Sequence, residues 1–215
     1  MVVEFNKATV ASEGHEVFTD ISFTSSPGER TAITGRSAAD RTLALQAILG
    51  MKALDSGWIC LDGEPICPQI GAFYRNRVSY MPHDFCFGGM TVDEVARYIC
   101  REQGGKGFKY DASFVMGHLA ELTVADIRLS ATFRSLSADI AQRTLIALTF
   151  MFSRPVALLD DPTYAQDEAG RRAVVDYMES GKFKDTTMIV ATCDPDILSI
   201  CDRVVSLDKS CTDSI

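Results

Sequence analysis

A glycine and a threonine held seven positions apart, between an apolar run and a helical one, constrain this chain more than any other feature. The segment Thr34-Gly35-Arg36-Ser37-Ala38-Ala39-Asp40-Arg41-Thr42 follows Thr31-Ala32-Ile33, which reads as a strand. It opens into Leu43-Ala44-Leu45-Gln46-Ala47-Ile48-Leu49, which reads as a helix. A strand, a loop and a helix in that order are the context that the pattern Gly-x-x-x-x-Gly-Lys-Ser/Thr requires. In such a loop the backbone N–H groups wrap an anion and the lysine reaches its outer oxygens. Here Gly35 and Thr42 stand in place, but the second glycine is Asp40 and the lysine is Arg41. A carboxylate therefore sits where the anion should go. Gly35, Ser37, Ala38, Ala39, Asp40, Arg41 and Thr42 form the candidate phosphate-binding segment.

Further motifs follow in fixed order. Ser26-Pro27-Gly28-Glu29-Arg30 precedes the strand, and Leu136-Ser137-Ala138-Asp139-Ile140-Ala141-Gln142-Arg143 occupies the place of a Leu-Ser-Gly-Gly-Gln-x-Gln-Arg signature. Val156-Ala157-Leu158-Leu159-Asp160-Asp161-Pro162-Thr163 is an apolar strand ending in paired acids. Ala165-Gln166-Asp167 comes next, and Met188-Ile189-Val190-Ala191-Thr192-Cys193-Asp194 is another strand with a polar end. From about Val3 to Asp208 the chain resembles the ATPase subunit of an ATP-binding cassette (ABC) transporter. The resemblance implies an α/β P-loop NTPase fold: a mixed core sheet with helices, a small antiparallel β subdomain and an inserted helical subdomain. Residues 1–215 read as one such domain, with the helical subdomain at approximately 86–145.

Composition agrees. A chain of 215 residues with 47% hydrophobic content can bury a sizeable core. Its 21 basic and 29 acidic residues give a net charge of −8, which argues against a nucleic-acid partner held on a basic face. No run of 18 apolar residues appears, and Met1-Val2-Val3-Glu4-Phe5 does not read as a signal peptide. The seven cysteines form no Cys-x-x-Cys pair, so buried free thiols are expected rather than a zinc site or a disulfide frame. A cytoplasmic location is expected, with no regulatory domain after the last strand.

Along the chain, Val3–Val10 and Val17–Phe23 alternate as a hairpin around Ser12-Glu13-Gly14-His15. Trp58 to Ile66 reads as a strand and turn, and Val78-Ser79-Tyr80-Met81 as a short strand. From Thr91 to about Arg134 the pattern is helical, interrupted by Gln103-Gly104-Gly105-Lys106-Gly107. Thr91 and Glu94 have the spacing of a capping box. Ala141–Phe152, Glu168–Glu179 and Pro195–Ile200 read as helices, and Arg203–Leu207 as the last strand, so strands and helices alternate as in a parallel sheet.

The resemblance assigns roles to single positions, and most carry altered chemistry. The aromatic that stacks on adenine falls at Ala11-Ser12-Glu13, where none exists, and the nearby Phe18 reads as core. Stacking of this kind is worth roughly 1–3 kcal/mol per base in nucleic-acid complexes. Arg41 either substitutes for the lysine or pairs with a local acid, Asp40 included; the second is favoured, since a planar fork does not replace a point charge. Asp40 at about 4 Å from a phosphate charge costs on the order of 4 kcal/mol at an effective dielectric near 20. Thr42 and Asp160 stand where the family holds Mg2+. Asp161 stands in place of the catalytic glutamate, with its reach cut by about 1.5 Å, one C–C bond. His83 replaces a glutamine that senses metal and water, and Cys193 replaces the histidine that contacts the γ-phosphate. A histidine of this kind also reads as a surface or capping residue, and Cys193 as a small buried residue at a strand end. In the signature Ser137 remains, while Ala138 and Asp139 replace glycines. Ser137-Ala138-Asp139 also reads as a plain helix N-cap.

The resemblance thus implies an ABC-type subunit with a degenerate ATPase site, binding ATP and Mg2+ weakly or not at all. Its partners would be an integral membrane transporter subunit and a second ATPase subunit, as a homodimer or heterodimer, at the inner face of the membrane. Two alternatives stay open: a slow but active ATPase using Thr42, Asp160 and Asp161, and a soluble dimerisation or regulatory scaffold.

Overall fold

A computed structural model describes residues 1–12, 14–67, 76–103 and 109–208. Glu13 of the expected adenine segment, all but Gln103 of the Gln103–Gly107 interruption and Cys211 lie outside the described residues. The chain runs β1 (Val3–Ser12), β2 (His15–Ser25), β3 (Arg30–Thr34), α1 (Ala38–Ile48), β4 (Ser56–Leu61), β5 (Glu64–Pro65) and β6 (Val78–Met81). It continues with α2 (Val92–Gln103), α3 (Ala112–Glu121), α4 (Ala138–Thr149), β7 (Val156–Asp160), α5 (Glu168–Glu179), β8 (Thr187–Ala191), α6 (Pro195–Ser199) and β9 (Arg203–Ser206).

Two sheets divide the pairing by direction. An antiparallel sheet has the order β2-β1-β4-β5, and a parallel sheet has the order β6-β7-β8-β3-β9. The inner strands β7 and β8 of the parallel sheet are buried on both faces, and their residues show why, while the edge strand β9 is mostly exposed. In β7, Val156 and Leu158 pack toward β1, β2 and α1, while Ala157 and Leu159 pack toward α2 to α5. In β8, Ile189 and Ala191 take the first face, Met188 and Val190 the second. A period of two with both faces apolar yields a continuous hydrophobic run in sequence. Each fully buried side chain such as Leu158 contributes roughly 1.5–3 kcal/mol.

Helices begin earlier than the hydrophobic periodicity predicts. α1 starts at Ala38, not Leu43, and α4 at Ala138, not Ala141. The extra turns carry small and charged residues, which a search for apolar spacing passes over. Consequently Asp40, Arg41 and Thr42 sit on helix, not loop. The Thr91 capping box forms: Thr91 N–H donates to Glu94 at 2.8 Å and Glu94 N–H to Thr91 Oγ1 at 3.2 Å. Phe18 is buried, as its reading requires. Among the described residues all six cysteines are free, but Cys86 and Cys193 are exposed rather than buried. No described helix is long and apolar enough to cross a membrane.

Candidate functional site

The ends of β3, β6, β7 and β8 and the first turn of α1 converge on one point, as parallel strands with crossover helices do at their carboxyl ends. Ser37 is the N-cap of α1, its hydroxyl accepting from the Asp40 N–H at 3.2 Å. Gly35 turns so closely under β9 that a Cβ there would meet Leu207 at 3.3 Å. Asp40 lies in the first helical turn, where a carboxylate complements the helix dipole.

Arg41 pairs with an acid, but not with Asp40. Its Nη1 donates to the Gly35 carbonyl at 2.6 Å and its Nη2 to Asp161 Oδ2 at 2.7 Å. The two side chains are 8% and 13% exposed, so the ion pair is nearly dry. Asp40 instead faces His15 at the start of β2, Nε2 to Oδ1 at 3.4 Å. His15 is a residue the sequence reading passed over as part of a polar turn. Its only signal was an aromatic ring beside the segment expected to stack on adenine.

Beside this pair stands a second acid. Asp160 is fully buried at the end of β7 and accepts from Thr42 Oγ1 at 2.7 Å and Tyr80 Oη at 3.5 Å, both on Oδ2. Burial pushes its carboxyl up, opposed by the Thr42 hydroxyl and reinforced by the neighbouring Asp161. Burial and Asp160 together push the Tyr80 phenol far up. Among the described residues Asp160 Oδ1 and His83 Nδ1 are buried and have no hydrogen-bond partner of normal geometry, although the His83 backbone N–H also opposes the rise of the Asp160 carboxyl. His83 caps no helix: its ring lies against Tyr164 with centroids 4.5 Å apart, and its Nδ1 is 3.9 Å from Asp161 Oδ2.

Asp161 itself has φ 46°, in the left-handed region that aspartate tolerates better than most residues. Its backbone is fixed from two sides: the N–H donates to the Ala191 carbonyl at 2.8 Å, and the carbonyl accepts from Gln142 Nε2 at 3.0 Å. Cys193 sits past the end of β8, exposed, with Sγ 3.5 Å from the Gly35 carbonyl. It is therefore not a buried strand residue.

The signature residues point elsewhere. Ser137 takes the N-cap position of α4 without capping it; its hydroxyl bonds the Asp139 carboxylate. That hydrogen bond, then Arg143 at 2.9 Å, holds Asp139 below the usual carboxylate range. Gln142, fully buried, and Gln166 join the start of α4 to the segment after β7: Gln166 Nε2 reaches Gln142 Oε1 at 2.8 Å and the Asp139 carbonyl at 2.9 Å. An amide among apolar helix positions was the visible sign of this network, which the sequence reading did not use.

Two clefts flank the pair. One, of about 720 Å³, is lined by His15, Ser37 to Asp40, Thr42, Tyr80 and His83. The other, of about 640 Å³, is lined by Arg41, Asp161, Tyr164 and Cys193 among others. Ser137, Ala138 and Asp139 line neither.

A sequence profile described as "ABC transporter" matches residues 18–164, more than half of the chain. The ribose import ATP-binding protein of Lacticaseibacillus paracasei is 28% identical over 87% of this chain and 40% of its own length. The human ATP-binding cassette sub-family B member 6 is 27% identical over 84% of this chain and 22% of its own length. The chain thus spans less than half of either relative. Among solved structures, an ATP-binding subunit of an ABC transporter superposes with a TM-score of 0.80 at 21% identity, covering 96% of this chain and 86% of that one. A bacterial Atm1-family ABC exporter with ATP bound gives 0.82 at 21% identity, covering 96% of this chain and 37% of that one.

Proposed function

Since the chain belongs to the ABC transporter family, we propose that it is an ATP-binding-type domain whose hydrolysis is lost or strongly impaired, serving a membrane transporter or envelope complex. Residues 1–215 act as one domain, with the helical part at about 86–145 gripping an integral membrane subunit at the cytoplasmic face. It pairs with a second ATPase subunit, a like copy or a different one.

The observation that carries this reading is the Arg41–Asp161 ion pair at 2.7 Å. Arg41 spends both ends of its fork inside the chain, one on Gly35 and one on Asp161. It is not free to reach the outer phosphates as a lysine does. Asp161 is in turn held as an ion-pair partner, and it is one methylene short of a glutamate. A displacement of about 1 Å in a positioning group can cost on the order of a hundredfold in rate. Ala11 and Ser12 offer the base no aromatic face, and Asp40 opposes the phosphates.

The residues for Mg2+ fit in part. Thr42 Oγ1 and the Asp160 oxygens are hard donors of the kind Mg2+ takes, and they would hold it beside the phosphates. When bound, that ion offsets phosphate charge. This intact pair is what favours the slow-ATPase alternative.

Calorimetric titration with ATP and Mg2+, together with a phosphate-release assay, tests the reading. Binding is expected no tighter than high micromolar, with phosphate release at background. Low-micromolar, Mg2+-dependent binding with multiple turnover overturns it in favour of the slow ATPase.

A further inference from the structure

We propose that Gln142 is the positioning residue that keeps Asp161 turned toward Arg41, and that Gln166 makes this hold depend on the start of α4. The Arg41–Asp161 pair and the helix start at Asp139 then move as one unit. The inference goes beyond the function proposed above and does not depend on it.

Asp161 needs an outside hold. Its φ of 46° is a conformation that a non-glycine residue keeps only when its surroundings over-determine it. Two supports come from the sheet and the turn itself: its N–H donates to the Ala191 carbonyl at 2.8 Å, and its carbonyl accepts from the Tyr164 N–H at 3.2 Å. The third comes from α4, where Gln142 Nε2 donates to the same carbonyl at 3.0 Å. Because peptide units are planar, fixing those on both sides of Asp161 fixes the direction of its Cα–Cβ bond. That direction carries the carboxylate to Arg41 at 2.7 Å.

Gln142 can donate there only while its amide stays the right way round. Its Oε1 accepts from the Ala165 N–H at 3.2 Å and from Gln166 Nε2 at 2.8 Å, so a flipped amide would set donor against donor and oxygen against oxygen. Gln166 Nε2 also donates to the Asp139 carbonyl, in the first turn of α4, at 2.9 Å. Its Oε1 is buried and accepts nothing among the described residues, so this amide is seated for its donors. Gln142 is fully buried and Gln166 nearly so, which leaves little water to replace these contacts. Gly170 on α5 makes the room: a Cβ there would lie 2.4 Å from Gln166 Oε1 and 3.3 Å from Gln166 Cβ. A core of apolar side chains would pack α4 on the turn after β7 without linking their backbones. Here four hydrogen bonds in series join Asp139 to Arg41, so whatever displaces the start of α4 loosens Arg41 from Asp161.

The Arg41 Nε–H is shielded from solvent, so its 1H–15N NMR signal and its exchange rate report how the guanidinium is seated. The signal is assigned by its absence from Arg41→Lys, and two further variants of the full chain are read without nucleotide. Gln142→Met removes the amide at similar volume. Gly170→Ala displaces Gln166; its nearest contacts are Gln166 and Asp167 rather than Gln142, Asp161 or Arg41, and alanine is favoured over glycine within a helix. Both variants should shift the Arg41 signal and speed its exchange about fivefold or more, the equilibrium effect of losing one ordinary internal hydrogen bond. Gly117→Ala, at a helical glycine with open space around it, should leave the signal in place. A role in stability alone lowers the unfolding midpoint of Gln142→Met but leaves Arg41 unmoved in the folded variant, and that result overturns the proposal. An unmoved Arg41 in Gly170→Ala, or an equal shift in Gly117→Ala, overturns it too. If Gln142→Met fails to fold, Gly170→Ala still decides. Because ATP is absent throughout, failure here leaves the ATPase reading standing.

Discussion

Removing the charge on Asp161 should destabilise the chain through Arg41, and the size of the effect follows from the geometry. Asparagine is the right replacement, because position 161 has φ 46° and asparagine, unlike alanine, visits that region readily. In Asp161→Asn the guanidinium, 8% exposed, keeps the Gly35 carbonyl but loses its counter-charge, and its Nε already lacks a partner. Exchanging a charge-assisted hydrogen bond for a neutral one, with the cation left nearly dry, costs about 2 kcal/mol. Arg41→Met removes the cation and leaves Asp161, which lines an open cleft, without its partner, costing about 1–2 kcal/mol. The double variant loses no more than the worse single one, since neither charge is then stranded. The coupling is therefore about 1–2 kcal/mol. Urea unfolding of the four proteins measures it, and at this chain length each kcal/mol moves the thermal midpoint by about 2–4 °C. Both side chains are shielded from solvent, so raising NaCl from 0.05 to 0.5 M should leave the coupling in place. Additivity within about 0.5 kcal/mol, or a coupling that salt abolishes, refutes a buried Arg41–Asp161 pair.

Asp160→Asn should raise stability at neutral pH. The folded chain holds a proton on Asp160 more tightly than the unfolded chain does, chiefly through burial. Stability tied to the neutral form is complete below the unfolded carboxyl pKa and is lost as pH rises through the folded one. The variant's advantage in urea midpoint is thus expected at pH 7.5 and should shrink toward pH 4; a variant no more stable at pH 7.5 contradicts this. Asp40→Gly with Arg41→Lys removes the repelling carboxylate and the bridging fork, so ATP binding should tighten by calorimetry. Phosphate release should stay at background because Asp161, His83 and Cys193 are unchanged; robust turnover shows those positions to be competent.

The fold was legible where burial is two-sided or capped. Val156–Asp160 and Thr187–Ala191 read as strands because both faces are apolar, and Thr91–Glu94 announced its helix by chemistry that acts within one turn. Hydrophobic period missed the helix starts at Ala38 and Ala138, where the residues are small and charged; at Ala138 only the N-cap reading of Ser137-Ala138-Asp139 marked the start. For the candidate site, the sequence named residues that the fold brings together, Thr42 with Asp160 and Arg41 with Asp161, but not the contacts between them. That Arg41 finds an acid could be argued from its charge; that the acid is Asp161, 120 residues away, requires the parallel register bringing β7 beside β8 and β8 beside β3. Gln142 and Gln166 were in view, but their bridge was not, for the same reason: an amide's worth depends on which groups the fold leaves beside it.

The altered positions are not independent. Each of three carboxylates at an altered position meets a basic side chain of the same chain: Asp40 meets His15, Asp139 meets Arg143, and Asp161 meets Arg41. The first is more than half exposed at His15 and contributes little; the third is nearly dry and dominates. Had Asp161 been left without Arg41, an ionised group with little solvent would have burdened the fold. A lysine at position 41, as a point charge on a flexible stem, does not bridge Gly35 and Asp161 as a fork does. The two substitutions therefore make sense together: arginine at 41 fills the loop and neutralises the acid at 161. On the function proposed above, a bound nucleotide would have to compete with the Arg41–Asp161 contact, so this chain's own ion pair adds to the barrier that the absent aromatic already sets.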